Sequence, residues 1–128
     1  MSTILWKPDA QRITDANLTA FARLLEQRYA ANLHDFEAMH AWSVSSPQEF
    51  WRETLDYCQI VYTGSKSTVI QDPHLMPGAR WFPDLKLNFA SNLLRFNDDK
   101  AAIIFWGERQ KRQVVSYREL NTQVLALR

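Results

Sequence analysis

Pro77-Gly78-Ala79-Arg80-Trp81-Phe82-Pro83-Asp84-Leu85-Lys86-Leu87-Asn88-Phe89-Ala90-Ser91-Asn92-Leu93-Leu94 sets an aromatic pair, a proline turn and a short amphipathic helix in direct succession. Trp81 and Phe82 are large apolar groups that call for a pocket, and Pro83 disfavours the helical region for Phe82, so Trp-Phe-Pro is expected to be extended. Asn88 is a good N-cap for a helix whose apolar residues Phe89, Leu93 and Phe96 recur on one face. That face is expected to be buried. Trp81, Phe82, Pro83, Asn88 and Phe89 together read as a structural clamp.

Upstream, Met1 to Ile13 shows no sustained period and reads as an extended arm docked through Trp6. From Thr14 or Asp15 as cap, Leu18, Phe21, Leu24, Leu25, Tyr29 and Leu33 fall on one helical face, with Arg23, Glu26, Gln27 and Arg28 opposite. Asp35 opens a second helix carrying Phe36, Met39 and Trp42, and Ser43-Val44-Ser45-Ser46 ends it. Ser46-Pro47-Gln48-Glu49 then offers a cap, a proline at the first helical position and a capping-box glutamate. That third helix is expected to bury Phe50, Trp51, Thr54, Leu55, Cys58 and Val61, to expose Arg52, Glu53 and Asp56, and to stop near Gly64.

Ser65 to Pro77 reads as an irregular surface connection. Downstream of the clamp, Asn97-Asp98-Asp99-Lys100 is a turn, Ala101 to Trp106 a buried strand, and Arg112 to Val115 its hairpin partner. Ser116 with Glu119 is a capping box for a last helix bearing Leu120, Val124 and Leu127. The fold class is therefore α+β and helix-rich: three amphipathic helices and the clamp, then a hairpin and a final helix. By size one domain is the default, with residues 1–96 helical and residues 97–128 the hairpin and last helix.

The chain has 128 residues, 46% hydrophobic and 12% aromatic, enough for a core. Five Trp, seven Phe and four Tyr are more large apolar groups than a chain of this size usually hides. Exposed apolar faces and self-association through them are expected. A net charge of +1, from 15 basic and 14 acidic residues, leaves no footprint for nucleic acid or an anionic membrane. The longest apolar runs fall far short of the roughly 20 residues that cross a bilayer. A lone cysteine, Cys58, and the absence of a basic-then-apolar leader point to a reducing, cytoplasmic setting. On a buried face Cys58 is a small hydrophobe rather than a nucleophile. His34, His40 and His74 lack the pairing a zinc site needs. Arg109, Lys111 and Arg112 form a tight basic cluster that reads as a solvated hairpin tip.

Pro77-Gly78-Ala79-Arg80-Trp81-Phe82-Pro83 followed by Leu87-Asn88-Phe89-Ala90-Ser91-Asn92-Leu93-Leu94 resembles the amino-terminal region of the acetoacetyl-CoA synthetases, AMP-forming acyl-CoA ligases. The resemblance extends through Trp42-Ser43-Val44, Phe50-Trp51, Phe105-Trp106-Gly107-Glu108 and Ser116-Tyr117-Arg118-Glu119-Leu120. It implies a longer parent that uses ATP, magnesium and CoA, and a final hairpin and helix that begin a larger α/β domain. It also implies that this stretch is structural: no catalytic, cofactor-binding or metal residue carries over. Gly64, Gly78 and Gly107 are too dispersed for a phosphate cradle. Propionyl- and acetyl-CoA synthetases share the architecture, and a stand-alone interaction module is the reading from another class.

Overall fold

The computed structural model describes residues 5–108 and 112–127. Arg109 and Lys111 of the basic cluster, the first four residues of the expected arm and Arg128 lie outside them. The elements in order are α1 (Ala10–Thr14), α2 (Asn17–Tyr29), α3 (Phe36–Ser45), α4 (Pro47–Tyr57), β1 (Thr63–Gly64), β2 (Ile70–Gln71), β3 (Arg80–Trp81), β4 (Leu85–Lys86), α5 (Phe89–Leu93), β5 (Ala101–Trp106), β6 (Arg112–Ser116) and α6 (Tyr117–Ala126). The chain is α+β and helix-rich, and its described residues form three antiparallel two-stranded sheets, β1-β4, β2-β3 and β5-β6. It divides into two compact units, one of residues 1–60 and 65–84, the other of 61–64 and 85–128. None of the described helices is long and apolar enough to cross a membrane.

In the first unit the core is Phe21, Leu25, Leu33 and Met39, with Leu25 wholly enclosed. Aromatic rings surround it: Phe21 meets Tyr57 at 4.9 Å and the edge of Phe50 at 5.8 Å, and Phe50 meets Trp42 at 6.4 Å. These are the spacings at which offset and edge-to-face ring pairs attract. The stripes read from the sequence on α2 and α3 supply most of these residues. Leu18, on the expected stripe, is exposed.

The arm departs from expectation. Asp9 caps a short helix, α1, its carboxylate accepting from the Arg12 amide at 2.7 Å, and Trp6 stays exposed beneath the Arg12 guanidinium instead of docking. This also removes the expected caps of α2. Thr14 donates to the Ala10 carbonyl, and the Asp15 carboxylate takes the Gln11 amide at 2.9 Å, so both side chains are engaged on α1. α2 starts after Ala16 with no side-chain cap.

α3 begins as read: the Asp35 carboxylate accepts from the Ala38 amide at 2.8 Å. The capping box expected at Ser46 is not formed. Ser46 ends α3, giving its amide to the Trp42 carbonyl at 2.8 Å, and its resulting φ of −128° and ψ of 57° leave no side-chain cap on α4. Pro47 does occupy the first turn. α4 ends seven residues before Gly64: Gln59, at φ 52°, gives its amide to Asp56 O, and Ile60 gives its amide to Leu55 O. That pair of bonds closes a helix without glycine. The stripe thus ends early, and Cys58 is an exposed C-cap rather than a buried hydrophobe.

Glu53 reverses its expected exposure. It is buried, takes the Tyr29 hydroxyl at 2.9 Å, and pairs with the Arg28 guanidinium. Two bonds from α2 therefore satisfy a carboxylate of α4, as a buried charge requires. The stretch expected to be irregular also carries structure: β2 pairs with β3, Ile70 opposite Trp81, and Val69 beside it is 1% exposed.

In the second unit, Thr63 pairs with Lys86 and Gly64 with Leu85. The hairpin β5-β6 forms over the expected residues, with a register shift between Ala101 and Ile103. Its strand is not buried in this chain: Ile103, Ile104, Phe105 and Trp106 are 47, 51, 53 and 66% exposed. Ser116 and Glu119 form the capping box in full. The Ser116 amide and hydroxyl hold Glu119 below the usual carboxylate range. Asn121 donates to the Phe96 carbonyl at 2.7 Å, and Phe96 packs edge-on against Tyr117. These bonds join the stretch before residue 97 to α6, so the boundary expected after residue 96 falls inside this unit.

Two outcomes follow. Asp35→Ala costs about 1 kcal/mol in a denaturant titration, whereas Ser46→Ala changes stability by less than about 0.3 kcal/mol, because only the first side chain meets a helix amide. Burial, then the hydrogen bond and charge of Glu53, raise the Tyr29 phenol above its ordinary value of 10.0. A raised value favours the protonated phenol in the folded state, so this contribution is complete below that ordinary value and is lost as pH climbs through the folded one. Denaturation midpoints taken from about pH 8 to about pH 11 fall in the wild type, and Tyr29→Phe flattens the fall.

Candidate functional site

The five residues of the expected clamp divide between the units: Trp81, Phe82 and Pro83 belong to the first, Asn88 and Phe89 to the second. In the first, Trp81 stands in β3 opposite Ile70, and its ring meets Trp51 of α4 at 5.6 Å, edge to face. Trp51, Trp81 and Phe82 line an apolar pocket of about 230 Å³. Phe82 is not extended as expected. Its φ is 42°, and it donates its amide to Val69 O at 2.7 Å. Pro83 does exclude the right-handed helix, but the chain escapes into the left-handed region, held there by the bond to Val69. Trp81 is 46% exposed and so is only half pocketed.

In the second unit Asn88 caps α5 as expected, accepting from the Ser91 amide at 3.0 Å. The face it was expected to bury, Phe89, Leu93 and Phe96, is exposed. A helix of five residues offers too little length to fold that face under its own unit. Asn92, which the sequence reading passed over, does more. Its amide grips the backbone of Val61 from both sides, accepting the Val61 amide at 2.8 Å and donating to the Val61 carbonyl at 2.9 Å. A third bond reaches the Asn88 carbonyl at 3.0 Å. An Asn within a helix runs against propensity, which was the available signal.

Between α5 and α6, Asn88, Ser91, Asn97, Arg118, Asn121 and Thr122 border a groove of about 810 Å³. Arg118 is engaged there with Asp99, at 2.8 Å, and the pair holds the Asp99 carboxyl below its usual range and raises the guanidinium. Of the histidines, His34 lies 3.1 Å from Asp35 and His40 stacks on Phe36. Among the described residues no three His, Cys, Asp or Glu side chains gather as a metal site would require. These surfaces present apolar area beside side chains that hydrogen-bond to the chain's own backbone.

Because Trp81 keeps nearly half its surface in water, Trp81→Ala costs about 1 to 2 kcal/mol, below the range for fully buried tryptophan. Equilibrium denaturation followed by circular dichroism measures it.

Residues 36–93, from α3 through α5, match the family described as acetyl-coenzyme A synthetase N-terminus. The acetoacetyl-coenzyme A synthetase of Rhizobium meliloti is 32% identical over 123 residues, covering 96% of this chain and 19% of that protein. Malonamoyl-CoA synthetase vrtB of Penicillium aethiopicum is 30% identical, over 94% of this chain and 17% of its own. Among solved structures, acetoacetyl-CoA synthetase from Streptomyces lividans aligns with a TM-score of 0.84 at 32% identity, covering 98% of this chain and 20% of that one. The chain thus spans about a fifth of the length of the relatives it matches. By sequence and by fold, this chain corresponds to the amino-terminal region of the acetoacetyl-CoA synthetases, and its residues 36–93 carry the acetyl-coenzyme A synthetase N-terminus.

Proposed function

We propose that this chain is the amino-terminal, structural part of an acetoacetyl-CoA synthetase and is not catalytic by itself. The parent would join acetoacetate to CoA, converting ATP to AMP and diphosphate, with ATP, magnesium and CoA bound by the parent and none by this stretch. Its partner is then the rest of the synthetase chain, and its setting the cytoplasm. Trp81, Phe82, Pro83, Asn88 and Phe89 serve as packing residues. The observation that carries the reading is the agreement of nearly the whole chain with one fifth of a synthetase of the same fold.

Physical chemistry is consistent with it. Adenylate formation must stabilise charge developing on phosphate with preorganised donors and a metal ion. The three glycines here are dispersed along the chain rather than gathered as a backbone cradle for phosphate requires. The exposed apolar hairpin also suits a stand-alone interaction module, and association of the chain with itself would favour that second reading.

A chimera decides between them. The Streptomyces lividans synthetase with its matching fifth replaced by this chain releases diphosphate when given acetoacetate, ATP, magnesium and CoA. The 128-residue chain alone gives a flat titration with magnesium and ATP and no diphosphate. Diphosphate from the short chain alone would overturn the reading, and so would a chimera that folds but is inactive with acetoacetate, acetate and propionate alike.

A further inference from the structure

Asn92 does for Val61 what a strand would do. The β1-β4 ladder pairs Gly64 with Leu85 and Thr63 with Lys86. Carried on in the same register, Val61 falls opposite Asn88, but there the second strand has ended. Asn88 is already the N-cap of α5, and its carbonyl accepts the Asn92 amide at 3.2 Å. A hydrogen-bonded residue of an antiparallel ladder exchanges one N–H and one C=O with its partner. A carboxamide carries the same two groups, an oxygen that accepts and an N–H that donates. Asn92, one helical turn past Asn88, offers both to the Val61 backbone, at 2.8 Å and 2.9 Å, and its nitrogen also reaches the Asn88 carbonyl at 3.0 Å.

The ladder so extended stands at a junction of the chain. Residues 61–64 belong to the second unit, whereas the chain up to Ile60 and from Ser65 to Asp84 belongs to the first. Gly64 and Leu85, which are ladder partners, are also the residues that flank the 65–84 excursion. β1 and β4 therefore form a stem, and the stretch carrying β2, β3 and Trp81 is the loop it closes. A closed stem spares the first unit the entropy of bringing the ends of that loop together, and an ordered 61–64 brings Ile60 to Ser65. Burial does little to hold the stem, because Val61, Thr63 and Gly64 are exposed. Its hold is hydrogen bonding: two ladder pairs, the Thr63 hydroxyl on the Lys86 carbonyl at 3.5 Å, and Asn92.

We propose that Asn92 is a latch that couples the two units. By completing the stem at Val61 it lets the second unit supply closed ends to the first, so that the two open together. Such a linkage is reciprocal, and each unit is stabilised by the folding of the other.

Hydrogen exchange of the 128-residue chain in rising sub-denaturing guanidinium reads each unit by its own amides. The Phe82 amide, bonded to the Val69 carbonyl at 2.7 Å, reports the first unit, and the Tyr117 amide, bonded to the Lys100 carbonyl at 3.0 Å, the second. In the wild type the two converge on one opening. Asn92→Ala takes the acceptor from the Val61 amide, which then exchanges as a solvated one, and the two probes separate by about tenfold in opening constant. Asn92→Asp keeps the shape and the acceptor but loses the donor to the Val61 carbonyl. It serves as the milder variant should alanine prevent folding, and it separates the probes in the same direction by less. Asn121→Ala is the control: it removes another carboxamide bond of the second unit, 2.7 Å to the Phe96 carbonyl, away from the stem. It speeds both probes alike and leaves them converged. Probes that already open separately in the wild type would overturn the proposal. So would Asn92 variants that speed both probes equally, as a merely stabilising residue does, or that leave the Val61 amide protected in Asn92→Ala.

Discussion

The carboxylate of Glu53 sets the rotation of α4 against α2, and much of the first unit hangs from α4. With the Arg28 guanidinium and the Tyr29 hydroxyl both on α2, a roll of α4 by one residue would strand a charge in the interior. Fixed in that rotation, Phe50 faces Phe21 and Trp42, and Trp51 faces Trp81. Tyr57 reaches back to the Asn17 carbonyl at 3.0 Å, while Asp56 takes Lys66 at 2.6 Å. One α4 thereby organises α2, α3 and the strand that carries Trp81. The apolar stripe alone would tolerate several rotations, because Phe, Trp and Leu are adaptable partners, whereas the ion pair accepts few.

The features legible in the sequence were those decided within a few residues. Asp35 and Ser116 cap their helices because neither has also to close a preceding helix, and the hairpin follows from its strand composition. Where two elements abut, the same local rule fails. Ser46 closes α3 before it opens α4, and Thr14 and Asp15 are used up by a helix that the arm was not expected to hold. Glu53 was misplaced for the opposite reason: its partners are 24 and 25 residues away, and a helical wheel sees neither. The Gln59 stop was hidden because the left-handed closure used a residue that does not advertise it.

Burial was harder to read than structure. β5 was legible as a strand and as an apolar one, but its coverage depends on neighbours, and so does that of Phe89 and Leu93. Composition did carry the warning: the aromatic surplus exceeds what two units of this size enclose. Asn92 is the corresponding case among polar groups. Its pair of hydrogen bonds to the Val61 backbone gives residues 61–64 a hold in the second unit although their sequence neighbours on both sides belong to the first. Because the first unit is built from two separate stretches, a single cut after Asp84 keeps it whole only by taking residues 61–64 of the second unit with it.

Phe82 sets the turn that follows β3. A bulky residue at φ 42° is strained, by roughly 1 to 3 kcal/mol, and such strain persists only where the surroundings over-determine it. Here the surroundings are identifiable. The Phe82 amide is fixed to the carbonyl of Val69, whose side chain is enclosed, so the bond is anchored to one of the least movable points of the unit. Pro83 closes the right-handed alternative, and the β2-β3 pairing holds Trp81 opposite Ile70. An extended Phe82 would have carried the β3 direction onward. The left-handed residue instead breaks it, so that Pro83 and Asp84 turn and the chain resumes as β4 with Leu85 beside Gly64. The strain is thus the cost of the turn that ends β3, and Trp-Phe-Pro is less a plug in a core than the point at which consecutive residues pass from one unit to the other.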